Sequence, residues 1–196
     1  MNRRAAAPRL LAVLATAAVL AGCGDGGGGG TSSAAPTSAA PSSGSSSAPA
    51  SAASCQSQAP TTAAPAGVST DLSVEPAAPC WTAAPPTDLV VSDVVVGTGA
   101  EAVAGSTAAV RYVGAIYGTG QVFDSSWSRG AGSTLPVTVG AGQVIEGFDR
   151  AVQGMEVGGR RVVTIPSDLG YGPQGNGPIP GGATLVFVLD LVSVSS

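Results

Sequence analysis

From Pro85 onward, apolar and polar positions alternate in short runs separated by glycine-rich turns, the pattern of strands and hairpins. Leu89 to Val96 reads as a first strand and Thr107 to Tyr117 as a second. In the second, Tyr112, Gly114 and Ile116 share one face, with Arg111 and Val113 on the other. Gly97-Thr98-Gly99 and Gly118-Thr119-Gly120 mark turns. Gln121 to Asp124 resumes the sheet, Ser125 to Thr134 forms a polar, glycine-rich bulge, and Leu135 to Val139 is a short strand. Arg160 to Ile165 is a strand stopped by Pro166. Leu185 to Val194 is the last and clearest, with Leu185, Phe187, Leu189 and Leu191 pointing one way. Asp190 and Ser193 interrupt it on opposite faces, so its outer face is not uniformly polar.

One segment departs from the period of two. Val144, Phe148, Ala151 and Met155 recur at helical spacing, with Ile145 and Val152 beside them, and predict one short helix over 144–152. Gly154 is placed to end it. One helix covering a face of several antiparallel strands is an α+β layer. About 110 residues suffice for a single core, and no internal repeat divides them.

The chain before Pro85 has a different character. Arg3, Arg4 and Arg9 give a basic start, and Leu10 to Leu20 is an apolar run of the length of a secretory signal's core, short for a bilayer span. It ends in Leu20-Ala21-Gly22-Cys23, which resembles a bacterial lipobox. The expected organisation is a signal peptide at 1–22, a lipid-bearing Cys23 with a tether and arm over 23–84, and a folded domain at 85–196. Two or more acyl chains on Cys23 would anchor the chain to the outer face of the cell membrane. Residues 24–54 are almost wholly Gly, Ser, Ala, Thr and Pro, the composition of a flexible tether. Residues 55–84 hold Leu72, Val74 and Trp81 among many prolines and alanines. They read as an extended arm that docks on the domain or as more tether. An exported chain allows a Cys55–Cys80 disulfide, with two free thiols as the alternative.

Charge and inventory then narrow the function. Without the signal segment, five arginines face twelve acids, a formal charge of −7. Clustered cations for nucleic acid are missing. The chain contains no histidine. That removes Ser-His-Asp and Cys-His nucleophiles and most zinc sites. Gly26 to Gly30 lies in the tether and precedes no helix, so it is no phosphate loop. The acids are scattered, and no pair suggests glycosidase chemistry. No metal and no cofactor are implied.

Four stretches carry a resemblance: YVG from Tyr112, FDSS from Phe123, VIEGFDRAVQGM from Val144 to Met155, and GYGPQGNGPIPGGATLVF from Gly170 to Phe187. In this order, over residues 85–196, they resemble an FKBP-type peptidyl-prolyl isomerase. The resemblance implies an antiparallel, twisted sheet of about five strands wrapped around the helix. It implies a pocket floored by Phe148 and walled by Tyr112, Phe123 and Phe187, with Asp124 as its carboxylate and Arg129 as that carboxylate's partner. Val144 and Ile145 would meet the substrate through their backbone, and the Tyr171 hydroxyl would bond a substrate carbonyl. Arg129, Leu135 and Ile179 would form the rim. Five of the eight aromatic residues in the chain fall on these positions, which favours a site over ordinary core packing. Leu135 stands where many members carry phenylalanine. The bulge before it is longer than usual, and Asn176 lies near a position often held by histidine. Trp81, Tyr117 and Trp127 match no family role, and Trp127 is expected at the rim or in solvent.

The activity so implied needs no nucleophile. An apolar pocket that excludes water disfavours the charge-separated amide resonance form and admits the twisted X-Pro imide. The implied partners are proline-containing segments of exported polypeptides, macrolide inhibitors, and the membrane through the lipid anchor, for a monomeric extracytoplasmic protein. The rivals are a non-catalytic chaperone or envelope scaffold that binds proline segments on the same fold, and a purely structural lipoprotein.

Overall fold

The alternating runs pair into one wholly antiparallel, six-stranded sheet in a computed structural model that describes residues 54–196. The signal segment, Cys23 and the tether up to residue 53 lie outside the described residues. The strands are β1 (Val90–Val95), β2 (Thr107–Ile116), β3 (Val122–Ser125), β4 (Leu135–Thr138), β5 (Arg160–Ile165) and β6 (Leu185–Ser195). They run in the order β1-β5-β6-β2-β3, with β4 also on β2. β4 pairs with Thr107 to Val110 and β3 with Val113 to Ala115, so the two share one edge of β2. Six strands therefore occupy five positions. The bulge between them returns to the edge through Ser126. Its N–H donates to the Tyr112 carbonyl at 2.9 Å, and its hydroxyl accepts the Tyr112 N–H at 3.0 Å.

The helix, α1, spans Glu146–Val152, two residues shorter at its start than the spacing predicts. Ile145 is its N-cap with φ −58° and ψ 145°, outside the helical region, so the helix begins only after it. Gly154 ends the helix at φ 77°. Gly147 is required by closeness rather than by conformation. A Cβ there would lie 2.3 Å from Ile165 Cγ2, so α1 rests directly on β5.

Both faces of the sheet are apolar. On the inner face, Phe148, Ala151 and Val152 of α1 meet Val110, Val163, Ile165, Leu185, Leu189 and Leu191. On the outer face, Val113, Ala115, Val162, Val186 and Val188 are buried beneath the arm. Packing does not stop at Pro85. Ala78 and Trp81 are buried against this face, with Val68 beside them. Trp81 stacks on Tyr117 at 5.5 Å, and its N–H donates to the Tyr117 carbonyl at 3.2 Å. Burying a tryptophan removes about 150–250 Å² from water, an upper bound of roughly 4–6 kcal/mol. The Cys55–Cys80 disulfide is formed, with 4.6 Å between the Cα atoms.

Asp190, the acid that interrupts the last strand, is explained from the same side. It faces fully buried Arg160 on β5, Nε and Nη2 each meeting a carboxylate oxygen at 2.6 Å. The remaining guanidinium donors go to arm carbonyls, Ser69 at 2.7 Å and Val74 at 3.1 Å. Trp127 is half-buried against the outer cluster, with the Arg111 guanidinium 4.9 Å over its ring, rather than standing at the pocket rim. The three aromatics without a family role thus all serve the outer face. Among the described residues no helix is long and apolar enough to cross a membrane.

Candidate active site

On the inner face a cavity of about 440 Å³ opens where the shared edge of β2 changes partner. β2 supplies Tyr112, β3 supplies Phe123 and Asp124, and β4 supplies Leu135. The bend before α1 supplies Gln143, Val144 and Ile145, and the helix supplies Phe148. Tyr171 comes from the loop after β5, and Phe187 from β6.

The rings hold one another edge to face. Phe187 stands 5.4 Å from Phe148 and 5.6 Å from Phe123, both nearly perpendicular, and Tyr112 meets Phe148 at 6.0 Å. Such pairs favour this geometry by about 0.5–1.5 kcal/mol each beyond their burial. Gly114 makes room behind them. A Cβ on it would approach Phe187 Cε1 to 2.7 Å and Phe123 Cζ to 2.8 Å. The glycine of YVG is therefore a packing requirement of the pocket.

The polar edge is a closed triangle. The Tyr112 hydroxyl donates to Asp124 Oδ2. Arg129 donates through Nη1 to Asp124 Oδ1 at 2.9 Å and through Nη2 to the Tyr112 hydroxyl oxygen at 2.9 Å. Burial pushes the Asp124 carboxyl up. Tyr112 and Arg129 outweigh it and hold the group below the ordinary carboxylate value of 3.8. Burial, reinforced by Asp124, pushes the Tyr112 hydroxyl above its ordinary value of 10.0. The Arg129 and Asp124 side chains remain 48% and 44% exposed. An ion pair that open adds little to stability, so the triangle serves to orient its members.

Two donors on lining residues are unspent. Among the described residues nothing accepts from the Ile145 N–H, and the Tyr171 hydroxyl has no partner. Two sequence-derived rim positions do not line the space. Arg129 acts through Tyr112 and Asp124. Ile179 is 6% exposed and points into the inner core, while its backbone closes a turn with Asn176 through bonds of 2.9 and 3.0 Å. Leu135 does line the cavity, as an aliphatic wall. Gln143 lines it too and was missed. Its Oε1 accepts the Thr138 N–H at 3.2 Å. The available signal was its place directly before Val144 and Ile145. Among the described residues no group of three or more His, Cys, Asp or Glu side chains converges.

The family model for FKBP-type peptidyl-prolyl cis-trans isomerases matches residues 99–192. The FK506-binding protein of Streptomyces anulatus is 52% identical over 112 residues, covering 56% of this chain and 89% of that protein. The chain belongs to this family. A probable FK506-binding protein of Corynebacterium glutamicum is 49% identical over 108 residues, covering 55% of this chain and 88% of its own length. Among solved structures, AtFKBP13 superposes with a TM-score of 0.51 at 36% identity, over 57% of this chain and 96% of that one. FkpA from Escherichia coli gives 0.50 at 33% identity, over 56% of this chain and 49% of its own. The FKBP match begins at Gly99, so the disulfide-linked arm lies wholly outside it.

Proposed function

We propose that this FKBP-type isomerase is a monomer anchored outside the cell membrane through a lipid on Cys23, where it accelerates X-Pro rotation in exported polypeptides. A peptide-bond rotation faces a barrier of about 18–20 kcal/mol, and an X-Pro bond left alone takes tens to hundreds of seconds. Each tenfold acceleration requires about 1.4 kcal/mol of preferential binding to the twisted state. The cavity supplies this without a nucleophile. Phe148 floors the proline site, and Tyr112, Phe123 and Phe187 wall it from water. The Ile145 N–H and the Tyr171 hydroxyl donate hydrogen bonds to the carbonyls on either side of the rotating bond. Asp124, kept ionised by Arg129 and Tyr112, shapes the polar edge. Macrolide ligands would occupy the same cavity.

The observation that carries this function is a cavity lined by five aromatic rings, with the Ile145 N–H and the Tyr171 hydroxyl unbonded among the described residues. Proline-peptide isomerisation by the full chain tests it. Acceleration is expected, with Phe148→Ala and Asp124→Ala each lowering turnover. Peptide binding without acceleration would instead indicate a proline-segment scaffold, and no peptide binding would indicate a structural lipoprotein. The anchor is tested separately by labelled fatty-acid incorporation, which Cys23→Ser should abolish.

A further inference from the structure

The arm reaches the turn that carries the polar edge of the pocket. On β3, Asp124 stands opposite Gly114 of β2, while Ser125 stands opposite Val113, an outer-face residue. Ser125 is 7% exposed, and its hydroxyl donates to Glu75 Oε1 of the arm at 2.7 Å. The Ser125 hydroxyl oxygen in turn accepts the Trp127 backbone N–H at 3.2 Å. The arm's Leu72 carbonyl accepts from Nη1 of Arg111 on β2 at 3.4 Å, and that guanidinium covers the Trp127 ring of the turn. The arm therefore holds the turn from the outer side. On the inner side the turn presents Asp124 and Arg129 to Tyr112.

β3 needs such support. It is four residues long, lies at the edge of the sheet, and slips register between Gly114 and Ala115 of its neighbour β2. A site of this kind works only when its supporting groups fix the first contacts to about half an ångström. Glu75 is exposed, but the hydroxyl it accepts from is buried, so the bond is charge-assisted and directional at its Ser125 end.

We propose, on the basis of the isomerase function above, that Glu75 is a positioning residue for the pocket: through Ser125 it fixes Phe123 and Asp124 on β3. The arm thereby becomes part of the catalytic apparatus of this chain, although it lies outside the family match.

The test compares Glu75→Ala, Glu75→Gln and Val68→Ala in the full chain. Val68 packs on the outer cluster and lines a hollow with arm residues Ala66, Gly67, Ala77 and Ala78, so its truncation loosens the arm while leaving the Glu75–Ser125 bond in place. Glu75→Ala is expected to lower kcat/KM by about 3- to 30-fold, below the roughly 100-fold cost of a full 1 Å misplacement. Glu75→Gln, which keeps an acceptor oxygen, should restore it, and Val68→Ala should cost melting temperature without kcat/KM. A carbon-13 titration of the Asp124 carboxyl provides a readout independent of turnover. Removing the Glu75 charge alone would move the Asp124 midpoint down. Losing alignment with Tyr112, Arg129 and the Ser125 N–H would move it up. An upward shift in Glu75→Ala, absent in Glu75→Gln, is expected. Should Glu75→Ala fail to fold, Ser125→Ala removes the same bond from the other side. An inactive wild-type chain would defeat the isomerase function, and the titration would still decide the role of Glu75. No upward shift, or a kcat/KM loss no greater than that of Val68→Ala, would overturn it and leave a bond that merely fastens the arm.

Discussion

Replacing Gly114 with alanine tests how tightly the sheet and the pocket wall are coupled. The new methyl would stand 2.7 Å from Phe187 Cε1 and 2.8 Å from Phe123 Cζ. Carbon atoms rest at about 3.5–4.0 Å, so both contacts must open by roughly 0.7 Å or more. Phe187 is 4% exposed and boxed by Phe148 at 5.4 Å and Tyr112 at 6.2 Å. Phe123 is half-buried on an edge strand, so it gives way more readily, while the Phe187 contact can open only by shifting β2 or the packed ring itself. Overpacking of this kind costs about 1–3 kcal/mol. Alanine restricts the unfolded chain and recovers about 0.5–1 kcal/mol. The net loss of stability is then about 0–2.5 kcal/mol. The functional loss is larger in proportion, because a wall displaced by most of an ångström can cost tens of fold in rate. Urea unfolding and proline-peptide isomerisation on the same preparation separate the two. A variant with wild-type kcat/KM, or a crystal structure with Phe123 unmoved, would refute the coupling.

Arg129→Gln removes one of the groups that hold the Asp124 carboxyl below 3.8. A depressed folded-state value gives stability that is present above 3.8 and lost as pH falls through the lower folded value. The variant should titrate closer to 3.8 and lose that contribution at higher pH, and an unchanged carbon-13 midpoint would contradict this. Arg160→Met strands the buried Asp190 and should cost about 3–5 kcal/mol in denaturant titrations. Adding Asp190→Leu should recover part of that, leaving the Ser69 and Val74 carbonyls without donors, whereas strictly additive losses would refute the pair's coupling. The double variant Cys55→Ser, Cys80→Ser opens a link spanning 25 residues, worth roughly 3–4 kcal/mol by chain entropy. Its melting temperature should fall, and an unchanged melt would show that the arm holds by its other contacts alone.

The strands were legible because each inner-face residue repeats at a fixed interval. Arg160 to Ile165 is bounded as its pattern predicts, and Leu185, Phe187, Leu189 and Leu191 all enter the inner core. The helix was legible from Phe148, Ala151 and Val152, but its start was not. Val144 and Ile145 fit the spacing, which follows side-chain faces and does not register that the backbone at Ile145 is still non-helical. The residues that share the cavity were identified by motif order rather than by periodicity, which gives faces and not distances. Ile179 shows the limit, since its place in a motif did not reveal that the hairpin tip folds inward. The docking of the arm was hardest to foresee. Its anchors Val68, Ala78 and Trp81 are too sparse among prolines and alanines to form a pattern, and Asp190 shows its meaning only beside Arg160.

The disulfide has a mechanical consequence for a chain pulled from its N-terminal side. Tension arriving at residue 54 enters Cys55 and crosses the sulfur bridge to Cys80. It leaves through Trp81, which is hydrogen-bonded to Tyr117 and stacked on its ring. The loop from Gln56 to Pro79 is a side branch of this load path. The groups that grip Arg160, Arg111 and Ser125 all lie on that branch. A pull on the chain is thus shunted past them, and the turn behind the pocket stays slack.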